Sequence, residues 1–340
     1  MCTPLKKSLQ EVKQSFVDIL DYAKSKGKLC AYCQFDHKIR SLRTNMYSDP
    51  EWFGIWQKFD VIFNHSHTND FVVKYLEKNS ISHGKLVCRG DNGIVNLFAI
   101  DFDELRDKFW KKFEDKTPKT IKFIGRDSAW KGPWAFRDFH YNYLMKDGWI
   151  ASAEGIGLSI GTLVDIFKEI KPKKIVRDDV NIDYIKASKQ NVADIDAGNI
   201  KLEAGKPVYF MPPYNHDTAM ERLSKCQFGI ELLLLDENFS KDVIENAMFE
   251  IAAVGCVPVF RKKWADAFQL LPNKVLSSYS FEETGIVLLD EDDPISAVKL
   301  MNKLASDKEQ YDKAREAAYK FMKTYFDVKP VYTKLLKELS

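Results

Sequence analysis

Apolar positions along the chain follow two alternating rhythms. Leu9, Val12, Phe16, Ile19, Leu20 and Ala23 recur at the three-and-four spacing of one helical face, and Gly27 follows as a stop. A short apolar run, LCAYCQF, comes next and gives way to Asp36 and His37. DVIFNHS and KLVCRG are two more such runs, with a helix expected over residues 71–76 between them. Short β-branched and aromatic runs that finish in polar residues, separated by helical stretches, predict βα units around a parallel sheet.

The rhythm breaks at LRDKFWKKFEDKTPKT (105–120), where charge is dense, strand alternation is lost and Pro118 intervenes. This stretch reads as a linker. Beyond it the βα pattern resumes with runs at TIKFIGR, WIASAEG, PVYFMPP, FGIELLLL, CVPVF and GIVLLD. Helices are expected over 133–144, 159–170, 216–224, 241–254, 294–304 and 307–325. The fold class is therefore α/β, with two Rossmann-like parallel-sheet domains.

Composition narrows the function. The chain has 340 residues, 45% of them hydrophobic, and 51 Lys+Arg against 49 Asp+Glu leave a net charge of +2. Bulk charge therefore points to no polyanionic partner, and any nucleic-acid contact must come from a local patch. No apolar run of about 18 residues occurs, so no membrane span or membrane partner is expected. The six cysteines include one close pair, Cys30 and Cys33, without the second pair a zinc site requires. No metal and no resident cofactor are expected, and the cysteine usage fits a reducing cytoplasm.

In open α/β sheets ligands lie beyond the carboxyl ends of the strands. FIGRDSAWKG (123–132) occupies such a place, with Arg126 and Lys131 between Gly125 and Gly132. A helix start with a fork-shaped and a point-like cation suits the two phosphates of a nucleotide sugar. Two solvated cations on a surface turn fit the same letters. The Glu154–Gly155 turn and the Asp36–His37 turn hold equivalent positions. In KDVIENAMFEIAAVGCVPVF (241–260), Asp242 and Glu250 are eight apart, about two turns on one helical face. Glu250 interrupts an apolar face and needs a partner, which ribose hydroxyls would supply.

Taken in order, QFDHKIRSLR, DVIFNHSHTNDF, FIGRDSAWKG with the later DFH, MERLSKCQFG, FEIAAVGCVPVF and SDKEQYDKAREAAYKF resemble the DNA α-glucosyltransferases of T-even phages. Strand–GRxxxWKG–helix followed by E-x-A-x-x-G-x-x-P-V is similar to the donor half of the wider GT-B retaining glycosyltransferases. The resemblance implies a GT-B-like fold, two sheet domains facing a cleft. Residues 1–115 would be a partial N-terminal acceptor-side domain and 116–305 the donor-binding domain. Residues 306–340 would be helices packing back towards the first. It implies transfer of a sugar from a UDP-sugar to 5-hydroxymethylcytosine in duplex DNA, in the cytoplasm of an infected host, protecting that DNA from nucleases.

The same resemblance implies the site. Arg126 and Lys131 would neutralise the leaving diphosphate, and Asp36 would lie near the anomeric carbon. Gly125, Glu154, Gly155, Asp242 and Glu250 would bind the donor. Lys38, Arg40, Arg43, His65 and His67 would face DNA. Asp36 as a helix cap, the histidines as packing groups and the three cations as salt-bridged surface residues stay open beside these roles.

Two departures stand out. The family pattern has a histidine before the aspartate, where this chain has Phe35. A side chain that donates no hydrogen bond near C6 makes a pentose donor such as arabinose an alternative to glucose. The chain also begins at a helix rather than at a strand and glycine-rich turn. Either another chain supplies that unit, or the sequence starts short of it, or activity has been lost. A glycosyltransferase acting on a non-DNA glycan, and a truncated nucleotide-sugar- or DNA-binding protein without catalysis, are the alternatives.

Overall fold

The computed structural model describes residues 9–34, 55, 57–64, 77–78, 80, 82, 84–88, 99–125, 132–155, 185–186, 201–211, 215–233, 244–271 and 273–339. The chain divides into two compact units, 1–99 with 270–272 and 328–340, and 100–269 with 273–327.

The first unit opens with α1 (Leu9–Ser25), and Gly27 at φ +65° ends it as the sequence predicts. Phe16 and Ile19 nevertheless remain 41% and 66% exposed, while Leu20 is buried. Three parallel strands follow, β1 (Ala31–Gln34), β2 (Val61–Asn64) and β3 (Lys85–Cys88), in the order β1-β2-β3. Val61, Phe63 and Val87 alternate onto one face of this sheet, as strand periodicity requires, and pack against Val331 and Leu335 of the last helix of the chain (Val328–Leu339). Lys85 Nζ lies 2.7 Å from Glu338 Oε2 on the same helix.

The second unit begins with α2 (Phe102–Phe109), capped by Asp101, whose side chain accepts from the Glu104 amide. Its sheet contains β4 (Thr120–Ile124), β5 (Ile150–Glu154), β6 (Ile185–Lys186), β7 (Tyr209–Met211), β8 (Phe228–Glu231) and β9 (Val257–Arg261). β12 (Val287–Leu289) completes it, and the short β10 (Gln269–Leu271) and β11 (Lys274–Val275) precede β12 in the chain outside this sheet. Seven strands pair in the order β12-β9-β8-β4-β5-β7-β6, and every pair is parallel. Parallel strands need covered faces, which explains why β4, β8 and β9 read as near-continuous apolar runs.

Between them lie α3 (Pro133–Phe139), which continues into a π turn over His140–Leu144, α4 (His216–Ser224) and α5 (Asn246–Ala253). Then come α6 (Lys262–Ala267), α7 (Phe281–Thr284), α8 (Pro294–Ser306) and α9 (Lys308–Phe326). The core is strongly aromatic. Phe123, Trp134, Phe136, Trp149, Phe228 and Tyr311 all belong to it. At its edges Trp149 Nε1 donates to Asn302 Oδ1 at 3.0 Å, and the Tyr311 hydroxyl donates to the Gln227 carbonyl at 2.6 Å.

Two sequence expectations need correction. The stretch read as a linker is folded into the second unit. Within it Phe109 is buried, and the Lys116 ammonium, itself buried, donates to the carbonyls of Ser224 and Cys226 at 2.7 and 2.9 Å. Charge density had hidden a lysine that serves as an internal cross-link rather than a solvated face. The helix expected over 241–254 begins only at Asn246, because Glu245 is extended (φ −109°, ψ 146°) and Ile244 is drawn into the core. Asp242 itself lies outside the described residues.

Candidate functional site

The strand order fixes where a ligand site belongs. From β4 the chain builds outward through β5 to β7 and β6, then returns to the other side of β4 with β8, β9 and β12. The direction of winding reverses between β4 and β8. At such a switch point the connections leave on opposite faces, and a crevice opens at the carboxyl ends of the two strands.

Glycines crowd that edge. Gly125 follows β4, and its amide donates to the Glu154 carbonyl at 3.1 Å. Gly155 follows β5 at φ +84°, where a Cβ would meet the Gly125 carbonyl oxygen at 2.2 Å. Gly132 opens α3 at φ +81°, where a Cβ would meet the Leu232 carbonyl oxygen at 2.1 Å. These contacts bring the ends of β4, β5 and β8 together with the start of α3. A backbone so closely packed is suited to present main-chain groups to an anion. The GRxxxWKG glycines thus have a steric reason.

Beneath this edge lies a charged cluster that the sequence reading missed. In the parallel register Lys122 stands opposite Ser152 on β5 and Gly229 on β8, and Ile124 stands opposite Glu154. Side chains repeat every second residue, so Lys122, Glu154 and Glu231 share one face of the sheet. Lys122 Nζ lies 2.5 Å from Glu154 Oε1, and Arg222 of α4 reaches the same oxygen at 3.7 Å. All four charged groups are buried. A Cβ on Gly125 would lie 3.5 Å from Glu231 Oε1, so that carboxylate sits directly under the β4 turn. The signals for this cluster were a lysine inside TIKFI and a glutamate inside FGIELLLL, each a charge within a buried run.

Helix α5 packs over β8 and β9, and Ile251 approaches so closely that a Cβ on Gly229 would meet its side chain at 2.5 Å. That seating places Glu250 beside the start of α4. His216 Nε2 and Glu250 Oε1 are 2.9 Å apart, and His216 Nδ1 is 3.8 Å from Asp217 Oδ1. The hydrogen bond to Glu250 pushes the imidazole pKa above its ordinary value, against partial burial, and the nearby charges of Glu250 and Asp217 add to the rise.

Of the residues singled out in the sequence, the structure brings Gly125, Glu154 and Gly155 together and sets Glu250 against His216. Glu154 is part of the buried cluster and is 1% exposed. Phe35, Asp36, Lys38, Arg40, Arg43, His65, His67, Arg126, Lys131 and Asp242 lie outside the described residues. Among the described residues no group of three or more His, Cys, Asp or Glu is placed to hold a metal ion, and no helix is long and apolar enough to cross a membrane.

A parallel sheet with glycine turns at its switch point occurs in many nucleotide-binding proteins, and fold alone does not distinguish them. The profile of the family described as DNA alpha-glucosyltransferase matches residues 3–309. The chain belongs to the DNA alpha-glucosyltransferase family. Within that family it is 26% identical over 325 residues to the DNA alpha-glucosyltransferase of Enterobacteria phage T4, covering 94% of this chain and 75% of the relative. Its fold is similar to that of an alpha-glucosyltransferase in complex with UDP-glucose and DNA containing an abasic site, with a TM-score of 0.77 and 24% identity over 99% of this chain and 78% of the other. It is also similar to an alpha-glucosyltransferase bound to UDP and a 13-mer DNA containing a HMU base, at a TM-score of 0.76 and 24% identity over 98% and 78% of the two chains. The α/β fold of GT-B type and the glycosyltransferase class expected from the sequence are both borne out.

Proposed function

We propose that this member of the DNA alpha-glucosyltransferase family moves a sugar from a UDP-sugar onto the hydroxymethyl group of 5-hydroxymethylcytosine in duplex phage DNA, with retention at the anomeric carbon. It would act in the cytoplasm of the infected host and shield the modified DNA from nucleases. The observation that carries the reading is the glycine-lined switch point at the ends of β4 and β8, in a chain of this family, with FIGRDSAWKG leaving β4 at that point.

The chemistry follows from where charge develops. As the anomeric C–O bond breaks, negative charge collects on the departing diphosphate, and Arg126 and Lys131 are assigned to stabilise it. Asp36 is assigned to the sugar side, where a carboxylate accepts the incoming hydroxyl's proton or offsets oxocarbenium character. Glu250 takes the ribose, and Asp242 belongs to the same donor set. Gly125 and Gly155 let the strand ends close on one another, and Glu154 acts from below through the buried cluster. The acceptor base must leave the stack to react. Lys38, Arg40, Arg43, His65 and His67 are assigned to hold the DNA.

Phe35 favours a second donor. It removes a hydrogen-bonding group near the C6 position, which suits a pentose as well as glucose. The test incubates the protein with hydroxymethylcytosine duplex DNA and either UDP-glucose or UDP-arabinose, followed by mass spectrometry of the nucleosides. A sugar added to hydroxymethylcytosine, and absent with unmodified DNA, is the expected result. Donor hydrolysis without any modified nucleoside would remove the DNA acceptor from the proposal. A strong preference for glucose would remove the pentose.

A further inference from the structure

We infer that His216 is a positioning residue for donor recognition: its imidazolium holds one oxygen of Glu250, leaving the other to accept from the ribose hydroxyls, so that ribose recognition depends on protonation of His216. This rests on the assignment of Glu250 to ribose in the reading above.

The geometry comes from two helices that meet for other reasons. Asn215 caps α4 by accepting from the Thr218 amide at 2.9 Å, which fixes the first turn and the place of His216 on it. Glu250 lies inside α5, whose seat on β8 is set by Ile251 over Gly229. The Glu250 side chain is 12% exposed and the His216 ring 55%, so the imidazole is the outer cover of an inner carboxylate. Among the described residues the protein donor to Glu250 is His216.

The charges around the ring favour its protonated form. From α5 it faces Glu250, and on α4 itself it faces Asp217. From α2 the facing charge is Lys108, whose ammonium is 2.7 Å from Asp217 Oδ2 and is engaged there. A cation at a helix start is opposed by the helix dipole. The two carboxylates outweigh this, and the ring's pKa stands above its ordinary value. Protonated, the ring donates through Nε2 to Glu250 while Nδ1–H faces Asp217. Neutral, one of its two nitrogens must turn a lone pair towards a carboxylate, which repels it. The neutral Nε2–H tautomer still donates to Glu250 but without charge assistance, so the carboxylate is held more firmly below the His216 pKa than above it.

The experiment measures the affinity of UDP and of 2′-deoxy-UDP by calorimetry, across a pH range spanning the histidine titration, for the wild type, His216→Ala, His216→Gln and Glu250→Gln. UDP binding to the wild type should weaken about 5- to 10-fold as pH rises through the titration, the loss of charge assistance in one hydrogen bond. His216→Ala should be weak and flat with pH. His216→Gln, a neutral donor, should match the high-pH wild type and show no pH limb, and Glu250→Gln should also lose the limb. With 2′-deoxy-UDP the limb should shrink, because the group it serves is missing. Wild-type binding that is flat with pH, or the same limb in His216→Ala, overturns the inference and leaves the donor assignment standing. Wild type that binds no UDP at any pH overturns the donor assignment, and this inference with it.

Discussion

Lys122 Nζ on β4 sits 2.5 Å from Glu154 Oε1 on β5, with both side chains buried under the edge where the sheet's winding reverses. Arg222 and Glu231 complete two cations and two carboxylates on that face. Removing one partner of such a pair strands the other charge in a medium that solvates it poorly. Glu154→Gln and Lys122→Met should each destabilise the chain by about 3–5 kcal/mol. The double variant should recover part of that loss. Urea denaturation of the four proteins gives the coupling directly, and additive losses would show that the pair does not act as a unit.

Gly155 and Gly148 share a left-handed backbone, at φ +84° and +77°, but differ in what surrounds them. A Cβ on Gly148 would meet nothing within 4 Å, whereas one on Gly155 would meet the Gly125 carbonyl oxygen at 2.2 Å. Gly148→Ala should therefore cost only the backbone strain, about 1 kcal/mol. Gly155→Ala should cost distinctly more and also weaken UDP binding, because the turns of β4 and β5 must part. Thermal melts with and without UDP separate the two effects.

His140 titrates in the opposite sense to His216. It is fully buried, and Nε2–H donates to the Lys206 carbonyl at 2.8 Å. Burial pushes its pKa down from the ordinary 6.5, against the bond to the carbonyl, which raises it. In the unfolded chain the ring takes a proton below 6.5, while in the folded chain it resists. The stability it contributes is present above 6.5 and is lost as pH falls towards its folded value. The urea midpoint of the wild type should thus fall more between neutral pH and about pH 5 than that of His140→Gln, which keeps a donor and does not titrate. Equal falls would remove His140 from the acid response.

The proposed roles of Arg126 and Lys131 predict an effect on transfer rather than on folding. Arg126→Ala and Lys131→Ala should each lower kcat about 100- to 1000-fold, as loss of one group that stabilises leaving-group charge does. Thermal stability should change little. Single-turnover transfer to hydroxymethylcytosine DNA measures the first and a melt the second. Full kcat in either variant would remove that cation from the site.

The pattern along the chain alone determined the βα alternation, the Gly27 stop and the α/β class. These follow from local periodicity and turn chemistry, which neighbouring residues carry among themselves. The ordered motifs also carried the family. What only the tertiary structure decided is which distant residues meet. Lys122, Glu154 and Glu231 look like unrelated charges until parallel register puts them on one face. His216 and Glu250 are 34 residues apart and join only because α5 seats on Gly229. Lys116 reads as solvated until the carbonyls of Ser224 and Cys226 close around it. Electrostatic partnership depends on distances of a few ångströms between elements, and spacing along one chain does not encode those distances.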